Sequence, residues 1–196
     1  MLLLFLVSQL AAPTTTGPAG WYKADDYPIQ YIEAGRSFDI SLRLTVKPDG
    51  SLQGCAIEKS SGEKSFDKYN CALLLNRAKF SPAKDKEGRP ILGIYRTRVT
   101  WKTDDRKPQP GAGDLELTVK RLPSGLSSPT YIQVALAVDG TGRASDCTGG
   151  KPDQNAALVK TACTQLLRSY RAIPARLPSG DLVPSVQSAT VSFLTQ

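Results

Sequence analysis

The chain carries two cysteine pairs of equal internal spacing, set one fixed step apart. Cys55 and Cys71 are sixteen positions apart, as are Cys147 and Cys163, and a shift of 92 positions lays one pair on the other. The same shift carries Ile40 onto Ile132, Gly50 onto Gly142 and Leu74-Leu75 onto Leu166-Leu167. It also carries Pro82-Ala83 onto Pro174-Ala175, Gly88 onto Gly180, Val99 onto Val191 and Trp101 onto Phe193. A recurrence of this kind marks one supersecondary unit used twice. The residues between the cysteines are almost all different. Position is kept there, and composition is not.

Each unit reads as strand, turn, strand, helix, turn, strand. Phe38–Val46 alternates apolar and polar residues, the period of a half-buried strand. "KPDG" at 47–50 is a turn, because Pro presets φ and Gly accepts φ > 0. A short strand over Gly54–Lys59 puts Cys55 and Ile57 on one face. Ser65 is the expected N-cap of a helix over Phe66–Lys79, where Phe66, Tyr69, Leu73 and Ala78 lie near helical spacing. Alternation returns over Leu92–Trp101. The second copy predicts strands near Tyr131–Val138 and Val183–Leu194, with a helix near Asn155–Tyr170 capped by Asp153. The expected fold class is therefore α+β: two tandem small domains, each a short antiparallel sheet packed by a helix, each with one internal disulfide.

The domain division expected is a signal-like, disordered segment over 1–20, a first domain over 21–103, a Pro/Gly-rich linker over 104–113 and a second domain over 114–196. Leu2–Val7 is a short apolar run followed by Ala11 and Ala12, the pattern of an export signal cleaved after Ala12, although no basic residue precedes it. A membrane-spanning helix needs about 20 apolar residues, so no span is expected in this chain. Four cysteines in an exported chain point to two disulfides, Cys55–Cys71 and Cys147–Cys163. In a cytosolic chain the same four residues would be zinc ligands, but zinc sites space cysteines far more closely.

Histidine is absent, which removes the commonest general base and metal ligand. Ser61 and Lys64 are the residue types of a Ser-Lys dyad, but they sit in a polar loop with no counterpart in the second unit. Asp49 and Asp139 are turn residues, and neither sits in the Asp-Thr/Ser-Gly setting of a shared-proton dyad. No phosphate loop, dinucleotide motif or metal cluster appears, so no catalytic residue, cofactor or metal is expected. The net charge of +7 comes without a basic run or interleaved aromatics, so nucleic acid is not an expected partner.

"DYP" at 26–28, Gly35, "VKPDG" at 46–50, "FSPA" at 80–83, "GRP" at 88–90 and the terminal strand form an ordered set over Tyr27–Trp101. This set resembles the C-terminal domain of the TonB family of periplasmic energy transducers. A weaker version recurs over Ser128–Leu194. The resemblance implies a periplasmic protein that binds outer-membrane transport receptors by strand addition, in support of TonB-dependent transport. It implies that the last strand of each unit is the recognition edge. Those residues are Ile94, Tyr95, Arg96, Thr97, Arg98 and Val99, and Val186, Gln187, Ser188, Ala189, Thr190 and Val191. Arg96 and Arg98 read either as a basic recognition edge or as a solvated face that discourages aggregation. Typical members carry an N-terminal membrane helix and a long Pro-rich spacer, and this sequence shows neither. Two other readings stay open: an envelope interaction protein without a transport role, and a small secreted enzyme or inhibitor.

Overall fold

The computed structural model describes residues 10–15, 17, 20–103 and 113–196. The apolar run Leu2–Val7 lies outside the described residues, and so does the expected linker apart from Gly113. The first half runs β1 (Thr14–Thr15), a single 3₁₀ turn (Ala24–Asp26), α1 (Ile29–Glu33), β2 (Phe38–Val46), β3 (Leu52–Lys59) and α2 (Lys64–Arg77). Three two-residue strands follow, β4 (Phe80–Ser81), β5 (Ala83–Lys84) and β6 (Pro90–Ile91), and then β7 (Gly93–Trp101). The second half runs β8 (Leu115–Val119), β9 (Thr130–Val138), β10 (Ala144–Gly149), α3 (Ala156–Ser169), β11 (Ala175–Arg176), β12 (Leu182–Val183) and β13 (Ser185–Thr195).

This is an α+β architecture of two small units, each with its own disulfide. Cys55 is bonded to Cys71, joining β3 to α2, and Cys147 to Cys163, joining β10 to α3. β2 lies between β3 and β7 in antiparallel pairing, and β9 lies between β10 and β13 in the same way. The alternation in β2 has its expected cause. Phe38, Ile40, Leu42, Leu44 and Val46 are all buried, and each aliphatic burial contributes about 1.5–3 kcal/mol.

The helices follow the predicted stripe with local differences. Tyr69 is exposed, and Asn70 takes the inward place. That buried amide donates to the Phe66 carbonyl at 2.8 Å and accepts from Trp101 Nε1 at 2.8 Å, so it is satisfied. The expected caps are displaced. Ser65 lies inside α2, whose N-cap is Glu63, while Ser60 and Ser61 bond the buried Asp67 carboxylate one turn in. Asn155, not Asp153, caps α3, and its Oδ1 accepts from the backbone N–H of Ala157 and Leu158. Asp26 of the "DYP" run is buried and accepts both Arg77 guanidinium nitrogens, at 2.5 and 3.0 Å. That bond to Arg77 is the main reason its carboxyl is held below the usual range.

Gly50 and Gly142, matched by the repeat, do more than turn the chain. Both have positive φ, +81° and +84°. A Cβ would stand 2.2 Å from the Phe80 carbonyl oxygen in one turn and 2.3 Å from that of Ala172 in the other. Each glycine carbonyl accepts from the same residue it crowds: Phe80 N at 3.1 Å, Ala172 N at 2.9 Å. Gly142→Ala should therefore cost about 2–3 kcal/mol, combining left-handed backbone strain with a displaced hydrogen bond. Urea unfolding checks this, and a loss below about 1 kcal/mol contradicts it. Asp49 and Asp139 brace the same turns. Hydrogen bonds from Ser51 lower Asp49 to about 2, and those from Thr141 lower Asp139.

The two units meet in one sheet. β13 pairs in parallel with β7 at two positions, Val186 with Gly93 and Gln187 with Ile94. Paired residues point to the same face and neighbours alternate. Gln187 shares its face with Ala189, Val191 and Phe193, the second core. Ile94 shares that face, which is opposite the one carrying Tyr95, Val99 and Trp101 into the first core. The two cores, and the helices that cover them, therefore lie on opposite faces of the joined sheet. Each unit's segment after its helix then reaches across to the other unit. Ala83 packs with Ala135 and Val186, and Gln53 Nε2 donates to the Arg176 carbonyl at 2.9 Å.

One expectation is corrected. Part of the segment expected to be disordered through residue 20 is paired. Ala11 bridges Lys84, Thr14 pairs with Ser81, and Thr15 pairs with Phe80. Leu10 is buried beside Ala83, Ala135 and Val186. The first unit's post-helix strands offer both free main-chain groups and an apolar trough, so this short segment has a place to bind.

Candidate partner-binding edge

The candidate site is built where β7 and β13 part. The Leu92 carbonyl accepts from Val186 N at 3.0 Å, which sets the side of β7 that faces β13. Main-chain groups alternate sides along a strand, so those of Ile94, Arg96, Arg98 and Thr100 face the same way. Strand pairing on that side ends at Ile94 among the described residues, while the other side is paired with β2 over all nine positions, Phe38↔Trp101 to Val46↔Gly93.

The predicted residues on β7 divide by face. Tyr95, Thr97 and Val99 are paired with Leu44, Leu42 and Ile40. The Tyr95 ring lies tilted 5.0 Å from Phe80 and edge-on 6.0 Å from Trp21, and burial raises its pKa. Ile94 is buried on the opposite face. Arg98 is ion-paired with Asp39 at 3.0 Å.

The Arg96 side chain is drawn into contacts with the second unit. Its guanidinium reaches Asp114 Oδ1 at 2.5 Å, the Tyr170 hydroxyl oxygen at 3.2 Å and Glu58 at 3.3 Å. Asp114 in turn holds β13: its N donates to the Thr190 carbonyl at 2.7 Å, and its Oδ2 accepts from Thr190 N at 2.8 Å. Burial works against the Arg96 charge, yet Tyr170, Asp114 and Glu58 leave its pKa raised. Burial also raises that of Tyr170. Arg96 thus ties β7 to β13 across the gap, through a residue beside the expected linker.

The β13 residues are enclosed. Val186 and Gln187 pair with β7, Thr190 with Asp114 and Val191 with Leu115 of β8, while β9 pairs along the other edge. Val186, Ala189 and Val191 are buried apolar residues. Gln187 donates through Nε2 to the Ile173 carbonyl at 2.9 Å and the Ser185 hydroxyl oxygen at 3.1 Å. Ser188 faces a groove beside Tyr95. The arrangement therefore brings the two predicted edges together at one junction, with strand pairing between them at two positions.

Sequence reasoning missed β8, Asp114 and Tyr170. β8 is five residues of alternating character with no counterpart in the first unit, and Asp114 and Tyr170 become a pair only through the fold. No helix among the described residues is long and apolar enough to cross a membrane. Comparison with curated proteins and with solved structures gives no match. Residues 23–103, the stretch that contains α1, β2, β3, α2 and β7, match the family model for the Gram-negative bacterial TonB protein C-terminal.

Proposed function

We propose that the protein acts in the Gram-negative envelope, on the periplasmic side, as a TonB-like binding protein. It takes up an extended segment of an outer-membrane transport receptor by strand addition at β7. The observation that carries this reading is the end of strand pairing with β13 at Ile94, beyond which Arg96 and Thr100 have no strand partner on that side among the described residues. That edge lies inside the stretch similar to a TonB C-terminal domain, a kind of domain that interacts with receptors and does not catalyse. We also propose that residues 114–196 are a second, diverged copy joined through the 104–113 linker. The shared element order, the matched disulfides and the paired glycines at 50 and 142 support it. In this reading the second copy is a support. Its β13 residues 186–191 flank the binding edge and hold it.

The test is site-specific photo-crosslinking in envelope preparations, with the crosslinker at Thr100 on β7 or at Ala189 on β13. Crosslinks from Thr100 to a transport receptor, absent from Ala189, are the expected result. Thr100→Pro removes a main-chain donor on the β13 side together with the Oγ1 bond to Asp39, so it should weaken capture at least tenfold, while Thr100→Val, which removes only the hydroxyl, should capture normally. Crosslinks only from Ala189, or a Thr100→Pro variant that captures normally, would overturn the assignment to β7.

A further inference from the structure

Residues 10–15 lie as an extended segment in a groove that has the make-up of a peptide site. Main-chain bonds hold the segment at one end: Ala11 N donates to the Lys84 carbonyl at 3.0 Å, and Lys84 N donates to the Ala11 carbonyl at 2.8 Å. At the other end Thr14 and Thr15 pair with Ser81 and Phe80. The side chains are seated as well. Leu10 fills a trough formed by Ala83, Ala135 and Val186. Pro13 is buried against Gly93, where a Cβ would stand 2.3 Å from its Cγ. A cavity of about 480 Å³ continues beside the segment.

The pseudo-equivalent groove has a different lining. Across the 92-position step, Gly93 corresponds to Ser185, Ala135 to Arg43 and Ala137 to Thr45. Lys84 corresponds to Arg176, and the Arg176 carbonyl accepts from a side chain, Gln53 Nε2, where Lys84 accepts from a strand. Small residues thus let a backbone approach in one groove, while larger ones, Arg43, Thr45 and Arg176, line a cavity of about 440 Å³ in the other.

The geometry points to a peptide-binding groove whose occupant is an extended segment of a partner protein. Its pattern is one apolar residue, two small residues, a proline and two β-branched residues. Leu10–Thr15 is the cis stand-in for that ligand. The strand-to-strand pairing gives affinity, the Leu10 trough and the Gly93 gap give specificity, and the cis segment sets the threshold for binding. A cleavage after Ala12, the position expected for an exported chain, would take away Leu10 and Ala11 and open the groove. The groove itself does not rest on the β7 assignment, because its main-chain partners are residues 80–84.

The test uses the full chain and a labelled synthetic peptide with the sequence of Leu10–Thr15. Leu10→Asp should release the cis segment, and peptide affinity should rise at least tenfold over the unaltered chain. Adding Ala135→Leu to that variant fills the trough and should abolish the gain; the first unit carries Arg43 at the matching strand position, so the strand accepts a long side chain. Ala11→Pro, which removes the donor to Lys84 and leaves the trough intact, is the second releasing variant. Hydrogen exchange at the Lys84 amide reads occupancy directly. Protection should fall in either releasing variant and return on adding peptide. Both releasing variants failing to bind while keeping both disulfides and a cooperative melt would overturn the proposal. So would binding that Ala135→Leu does not affect, or a Lys84 amide that peptide never protects.

Discussion

Reducing both disulfides should lower the unfolding free energy by about 3 kcal/mol per bridge, about 6 kcal/mol in all. Each bridge closes a loop of the same length, with a sequence separation of 16, so the chain-entropy contribution should be nearly equal for the two. Domains of this size hold a total margin on the order of 5–15 kcal/mol, so the loss takes a large share of it. The thiols that remain still fit the same positions against the two cores, so little packing is lost. Reduction therefore isolates the constraint on the unfolded chain. Urea unfolding with and without reductant measures it, and the paired variants Cys55→Ala/Cys71→Ala and Cys147→Ala/Cys163→Ala separate the bridges. A loss under about 1 kcal/mol for each pair would show that neither bridge acts as a staple.

Phe66→Ala should be the most damaging single truncation in the first core, at about 3–5 kcal/mol. Phe66 is 2% exposed. Its ring centroid lies 4.8 Å from Phe38, 5.3 Å from Tyr31, 5.7 Å from Trp101 and 5.9 Å from Tyr27. Four large rings anchored to α1, β2, β7 and the Asp26 turn cannot all collapse into the space it leaves. Tyr69→Ala, one turn away on the exposed flank, has Phe66 as its ring neighbour at 6.3 Å and should cost under about 1 kcal/mol. Thermal or urea unfolding of the two variants side by side measures the contrast. Equal losses would mean that the helix face has been assigned wrongly.

Much of the local structure was legible because it rests on local rules. Period-two alternation identified β2, and the repeat carried that assignment to β9. Turn glycines at 50 and 142 were legible as turns, though their contact with Phe80 and Ala172 was not. The helices were found to within a few residues. Their caps were not, because Ser65 and Asp153 were read from type alone and capping depends on where the last non-helical residue falls. Asn70 was invisible for a different reason. A polar residue on a buried face shows itself only when Trp101, thirty-one positions away, supplies its partner.

The candidate edge was half legible. A terminal strand in each unit was correctly placed, and the resemblance pointed to both. How the two strands meet was decided by the two-position parallel contact between β7 and β13, and by β8 and Asp114 pairing with β13 beyond it. Arg96 shows the same limit. Its charge was plain in the sequence, but its role as a tie between units needs Asp114 and Tyr170 to arrive from elsewhere in the chain. The sequence by itself determined two α+β units, their disulfides and their turn glycines, because alternation, spacing and backbone permissiveness act over a few residues. Only the tertiary structure decided that the units share a sheet with opposite helix-bearing faces, that β7 and β13 pair at two positions before β8 joins β13, and that residues 10–15 occupy a groove. Those outcomes depend on contacts between distant segments, and nothing within either segment records them.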